Sequence, residues 1–321
     1  MSLIRIGSRG SRLALTQAEL AADRLRRDGV EIALVPITTA GDKDRTKPFG
    51  EIGSRGVFVK EIEEALLAGR IDVAVHSAKD MTSADTDGLA VGAYLDREDA
   101  RDALCGAAEL RPGMRVGTAS VRRKAQLLAL EPELSIEPLR GNIDTRLRKR
   151  GERGLDAVVL AACGLDRLGL AAEIGRRFEP DDLLPEAGQG ALALQVRVGE
   201  EELVARADHP ETRRRVEAER TCVFAIGGGC LAPVAAHHDG ERLTALVAAE
   251  DGSWLERRSG DDPGELAREL VQFAADCRRQ ARGARFRRCR LAVDRAGADR
   301  NRADRSPAVR LARPNQHHRF A

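Results

Sequence analysis

Two short stretches, Gly117-Thr118-Ala119-Ser120-Val121-Arg122-Arg123 and Leu139-Arg140-Gly141-Asn142-Ile143-Asp144-Thr145-Arg146, each place a strand end, a turn of small residues and a helix start beside arginines. Backbone N–H groups at a helix start carry partial positive charge, and a guanidinium fork pairs with a carboxylate through two parallel bonds, so each stretch suits an anion. Two such devices suit a ligand with several negative groups. The same residues fit a plainer arrangement in which Ser120 and Asn142 cap helices and the arginines stay solvated. Either stretch alone fits both readings; their recurrence favours the polyanion. Gly7-Ser8-Arg9-Gly10-Ser11-Arg12, after the first strand signal, is a third stretch of the same build.

Three other residues stand out. Asp80, in His76-Ser77-Ala78-Lys79-Asp80, follows the apolar run Ile71-Asp72-Val73-Ala74-Val75. A carboxylate at a strand end could stabilise a cation or move a proton, and Lys79 could hold an acidic substrate; a Lys79–Asp80 surface ion pair fits equally well. His76 reads as a packed, hydrogen-bonded histidine, because no second histidine stands at metal-ligand spacing. Cys230 follows three glycines, a context that suits either an exposed nucleophile or attachment point, or a small thiol buried at a turn.

The elements that must position these groups alternate. Strand patterns at 3–6, 32–38 and 71–75 interleave with helix patterns at 11–28 and 57–68, which indicates a mainly parallel, doubly wound sheet with ligands beyond the strands' carboxyl ends. A second α/β unit has strands near 115–116, 135–139 and 157–160 and helices near 120–130, 142–150 and 162–168. Residues 185–190 read as a flexible crossing segment before a strand at 191–197; if that strand rejoins the first sheet, two connections form a hinge. A smaller α+β unit follows, with a helix, strands through 246–249 and 253–258, and a final helix ending near 280. The glycine- and charge-rich loop 41–56 fits a lid over the cleft, or disorder.

With 321 residues, 42% of them hydrophobic, the chain can bury two or three cores. No apolar run is long enough to span a bilayer and no secretory signal pattern opens the chain, so the expected location is the cytoplasm. The six cysteines have no zinc spacing; Cys105, Cys163, Cys222 and Cys277 read as inert core thiols, and no metal is expected. From Ala281 onward there are twelve Arg and three Asp, a formal +9 against +2 for the whole chain, so residues 1–280 carry −7. The folded body therefore does not imply nucleic acid, and an aromatic content of 3% leaves few stacking platforms for single strands.

Taken in order, Val73–Asp80, Gly117–Arg123, Leu139–Leu147, Ala187-Gly188-Gln189-Gly190 and Gly228-Gly229-Cys230 resemble the motifs of the porphobilinogen deaminase (hydroxymethylbilane synthase) family, over about residues 3–280. The resemblance implies an α/β fold of two doubly wound, periplasmic-binding-protein-like lobes, 1–96 with 190–208 and 100–185, and a smaller α+β cofactor-attachment domain, 209–285. Residues 286–321 fall outside it and are expected, from their Arg-rich, apolar-poor composition, to form a disordered tail. The resemblance further implies a cytoplasmic, monomeric transferase that joins four porphobilinogens, with loss of ammonia, into hydroxymethylbilane on a dipyrromethane tethered to Cys230. Asp80 matches the catalytic carboxylate. Lys79, Ser120, Arg122, Arg123 and Arg146, with Gly228 and Gly229, match cofactor-binding positions; Arg9, Ser11, Thr118, Arg140 and Arg167, with Phe58 and Gln189, match substrate-cleft positions. The chain departs from the family pattern at Arg12, Thr82 and Ala100, where proline is usual. A non-catalytic polycarboxylate binder on the same scaffold is the competing reading, and it would need neither Cys230 nor Asp80.

Overall fold

The computed structural model describes residues 2–27, 29–39, 59–81, 86–227 and 233–282. Strand β1 (Ser2–Arg9) leads into helix α1 (Arg12–Leu25), whose Ala18, Ala21, Ala22 and Leu25 recur at helical spacing and are buried against the sheet. Next come β2 (Val30–Ile37), α2 (Lys60–Leu67), β3 (Val73–Ser77) and β4 (Leu89–Tyr94). The chain then crosses to β5 (Asp102–Cys105), β6 (Arg115–Gly117), α3 (Val121–Leu130), β7 (Ser135–Glu137), α4 (Ile143–Glu152), β8 (Ala157–Ala161), α5 (Ala162–Arg167) and β9 (Ile174–Arg177). It returns as β10 (Leu192–Arg197) and ends in α6 (Pro210–Ala225), the hairpins of β11 (Val234–His238), β12 (Leu243–Ala248) and β13 (Leu255–Gly260), and α7 (Pro263–Arg282).

The sheet orders are β2-β1-β3-β10-β4, β7-β6-β8-β5-β9 and β11-β12-β13. The two five-stranded sheets share one scheme. In each, the fourth strand runs antiparallel to its neighbours and is the first strand laid down after the chain crosses from the other lobe. Two α/β lobes and a smaller α+β unit therefore make the fold, and the return of β10 to the first sheet gives the pair of crossings expected of a hinge.

Three sequence expectations change. The crossing segment 185–190 is buried apart from the half-buried Glu186. Gly188 and Gly190 have φ of 74° and 91°, and a Cβ on Gly190 would lie 2.5 Å from the Glu98 carbonyl oxygen, so close packing, not looseness, requires glycine there. The short strands β4, β5, β9 and β11 escape a pattern search: β5 and β11 are buried almost throughout and show no alternation, and the partly buried β4 and β9 do not alternate either. Cys277, expected in the core, is only half-buried on α7, whereas Cys105, Cys163 and Cys222 are buried. The loop 41–56, Thr82, Cys289 and the tail from 286 lie outside the described residues.

Candidate functional site

Beyond the carboxyl ends of β1 and β3, a pocket is lined by Arg9, Ser11, Gln17, His76 and Asp80, among others. Ser11 caps α1, its Oγ accepting from the Ala14 N–H at 3.3 Å, and Gln17 donates to the Ser77 hydroxyl at 3.1 Å, tying the helix to β3. After Ser77 a single 3₁₀ turn, Ala78–Asp80, leaves Asp80 exposed. His76 behaves as the sequence suggested. The side-chain amide of Gln195 donates to Glu63 at 2.9 Å, so its oxygen, 3.1 Å from His76 Nε2, accepts from the imidazole. Burial pushes His76 down to about 4 and keeps it neutral.

Lys79 does not simply pair at the surface. Its Nζ donates to Gln189 Oε1 at 3.3 Å, while the Gln189 amide nitrogen donates to Ala100 O at 2.6 Å and to Asp102 Oδ1 at 2.9 Å. Gln189 is fully buried and thus connects the β3 turn, both crossings and the second lobe.

In the second lobe the solvated-arginine reading fails for Arg122 and Arg123, which are buried. Both meet Asp102, at the start of β5. Arg123 donates to Asp102 Oδ1 through Nη2 at 2.7 Å and Nε at 3.1 Å, and Arg122 Nη1 lies 2.8 Å from Oδ2. Burial alone would raise this carboxyl, yet the two guanidinium groups hold it well below the usual carboxylate range. Ser120 does cap α3, and its own N–H donates to the buried Thr118 hydroxyl at 3.2 Å. Asn142 makes no side-chain cap bond to α4. Arg140 is half-buried, and Arg146 donates to Gly141 O at 2.7 Å. Burial first, then the like charges of Arg123 and Arg140, push Arg146 down to about 10, with Asp80 pulling the other way. Asp80 and the arginines of the second lobe thus share one electrostatic field. Around Asp102 two guanidinium groups gather, and Arg122 also lies 4.0 Å from the half-buried Glu186.

Arg167 is placed apart from that cluster. Its Nε donates to both oxygens of Glu98 and its Nη2 to Gly190 O at 2.8 Å, so it braces the two crossings. Phe58, Gly228, Gly229 and Cys230 lie outside the described residues. Two anchoring carboxylates were missed as site residues. Asp102 is one, a lone acid at the head of an apolar strand. The other is Glu219, fully buried on α6. It accepts from Arg97 at 2.6 and 3.2 Å, from Gly188 N at 2.7 Å and from His238 N at 2.7 Å, and so pins the third unit to both crossings. Burial opposes its charge, but Arg97 and His237 hold it down to about 2. The amphipathic pattern could not show this, because α6 turns Thr212 and Glu219 inward along with Val216 and Val223.

Fold and site together define a two-lobed α/β protein with an exposed carboxylate at a pocket of one lobe and a cluster of buried arginines in the other. A family model described as "Porphobilinogen deaminase, dipyromethane cofactor binding domain" matches residues 4–205. The chain is 42% identical over 295 residues to the porphobilinogen deaminase of Pelobacter propionicus, covering 88% of this chain and 95% of that one. To the enzyme of Roseiflexus sp. (strain RS-1) it is 45% identical over 288 residues, covering 84% and 95%, and to that of Syntrophotalea carbinolica 47% over 268 residues, covering 79% and 85%. The chain belongs to the porphobilinogen deaminase family, transferases of tetrapyrrole synthesis with a dipyrromethane cofactor.

Proposed function

We propose that this chain joins four porphobilinogens into hydroxymethylbilane with Asp80 as its catalytic carboxylate. The observation that carries the assignment is the exposed Asp80 beside Arg9 and Ser11, acting electrostatically on Arg146 of the opposite lobe. Loss of ammonia from the aminomethyl group leaves positive charge on the pyrrole. Asp80 stabilises that charge, accepts a hydrogen bond from the pyrrole N–H and assists proton transfer. Arg9 and Ser11 on one wall, and Thr118 and Arg140 on the other, hold the substrate's acetate and propionate groups, while Arg146 serves the cofactor. Lys79, Ser120, Arg122 and Arg123 face the cofactor, and Arg167, Phe58 and Gln189 complete the cleft and hinge.

Arg122 supports the fit of a dipyrromethane. Its Nη2 is buried without a hydrogen-bond partner while its Nε faces Glu186 at 4.0 Å, and an acidic side chain of the cofactor would satisfy Nη2. When bound, the cofactor supplies the free pyrrole α-carbon that the incoming unit joins; Cys230, between Gly229 and Leu231, is the proposed tether, with Gly228 and Gly229 admitting close approach. We assign 1–96 with 190–208, 100–185 and 209–285 to three domains of a cytoplasmic monomer. The five-stranded sheets and the separate β11–β13 sheet support these boundaries. Among the described residues no helix is long and apolar enough to cross a membrane.

Asp80→Asn keeps the shape and loses the charge, so porphobilinogen consumption should fall by at least ~10²-fold while covalent pyrrole remains. Near-normal turnover would remove Asp80 from its role. Cys230→Ala should yield a chain whose intact mass lacks the pyrrole adduct, and a full adduct mass would move the tether elsewhere.

A further inference from the structure

Arg12 opens α1, where a cation opposes the helix dipole and has no local reason to be. Its side chain is not part of a core, being 62% exposed. It reaches instead across to the other lobe. Nη1 lies 3.4 Å from Asp144 Oδ1, in the first turn of α4, and Nη2 donates to the Leu168 carbonyl at 3.3 Å. Leu168 is the C-cap residue of α5, where the partial negative charge of a helix end favours a cation. The next residue adds an apolar seat, since Leu13 Cδ2 lies 3.7 Å from the position a Cβ on Gly164 would take. These contacts join segments 132 and 156 residues apart in sequence.

We propose that Arg12 is a latch between the lobes, a positioning residue that holds the first turn of α1 against α4 and α5 and so biases the cleft toward its closed form. A proline, usual here in the pattern described above, has no side chain able to make either contact. The partners are exposed and the ion pair is long, so the latch is weak and screened by salt. A weak latch suits a cleft that admits one small substrate after another, because opening then carries little cost. Asp144 stands two residues before Arg146, so the latch closes beside the arginines that face the substrate's acids.

The test uses hydrogen exchange on the full-length holoprotein, with no need of turnover. Arg12→Ala should speed exchange about 2–5-fold in the first turn of α1 and in the segment around Leu168, leaving the amides of β1 and β3 unchanged. Asp144→Asn, which approaches from the other lobe and leaves α1 intact, should speed the same α1 amides. Raising salt should loosen the wild type toward the Arg12→Ala rate and change Arg12→Ala little. Wild-type exchange at both segments in Arg12→Ala, or equal salt dependence in the two proteins, would overturn the latch. If Arg12→Ala also loosened β1, Asp144→Asn would decide alone. Neither result bears on Asp80, which activity measures separately.

Discussion

The two α/β lobes share a strand order and place their antiparallel strand in the same slot, yet they bury opposite kinds of polar group there. In the first lobe β10 contributes Gln195, which links the neutral His76 to Glu63. In the second lobe β5 contributes Asp102, which anchors the charged Arg122 and Arg123. The topology does not require this difference, but the work of each wall explains it. In the proposed function the first lobe offers the exposed Asp80 to a cationic pyrrole, and the buried His76 beneath it is held neutral. In the proposed function the second lobe holds several carboxylates, and the buried Asp102 keeps the two guanidinium groups in place.

The sharpest way to break the comparison is to neutralise the anchor. Asp102→Asn leaves two buried guanidinium groups facing an amide, and removing one side of a buried charge cluster costs about 3–5 kcal/mol. Urea unfolding should show a loss of that order, and an unchanged midpoint would mean that the arginines are not held by Asp102. Gln195→Ala removes the hydrogen bonds to His76 and Glu63 without leaving a buried charge cluster unbalanced, and should cost less, on the order of 1–3 kcal/mol.

The lobes should also part company in acid. The folded protein holds His76 at about 4, below its ordinary value of 6.5. As pH falls, the unfolded chain therefore takes up the proton first. The stability lent by neutral His76 is complete above about pH 6.5 and is lost as pH drops toward 4, up to about 3 kcal/mol. Asp102 is also held low, but relative to an ordinary value of 3.8, so its contribution is complete above that value and is lost only as pH falls through the lowered one. Hydrogen exchange between pH 6.5 and 4 should loosen β3 and β10 while β5 and β8 stay protected. His76→Gln should flatten the response of the first lobe, and equal loosening of both lobes in the wild type would refute the contrast.

Much of this arrangement was legible in the sequence, for physical reasons that differ by element. Helices such as α1 show themselves by apolar spacing and a serine cap, and the cleft motifs by arginines beside small-residue turns. The ends of α1 were read at 11 and 28 but fall at Arg12 and Leu25, because its apolar face stops one turn before Gly29. Partnership across the chain was not legible. Nothing local tells that Asp102 meets Arg123, that Gln189 joins Lys79 to Asp102, or that Glu219 receives Arg97, since each pair is made by topology from distant segments. The same limit made the segment 185–190 look loose, when the carbonyl of Glu98 and the backbone of Ala78 pack against its glycines.

The smallest expected effect compares the two serine caps. Ser11 Oγ accepts from Ala14 N at 3.3 Å and Ser120 Oγ from Arg123 N at 3.4 Å, so replacing either with alanine should cost about 1 kcal/mol. The costs should appear in different ways. No buried charge ties down the first turn of α1, where Arg12 is exposed, so Ser11→Ala should fray that turn and speed exchange at Ala14 with little change in the unfolding midpoint. The first turn of α3 cannot fray without drawing Arg122 and Arg123 away from Asp102, so Ser120→Ala should lower the midpoint with little local exchange below the global limit. Exchange and urea unfolding on the two variants would separate these outcomes. Local fraying in Ser120→Ala would show that the Asp102 anchor does not reach the end of the helix.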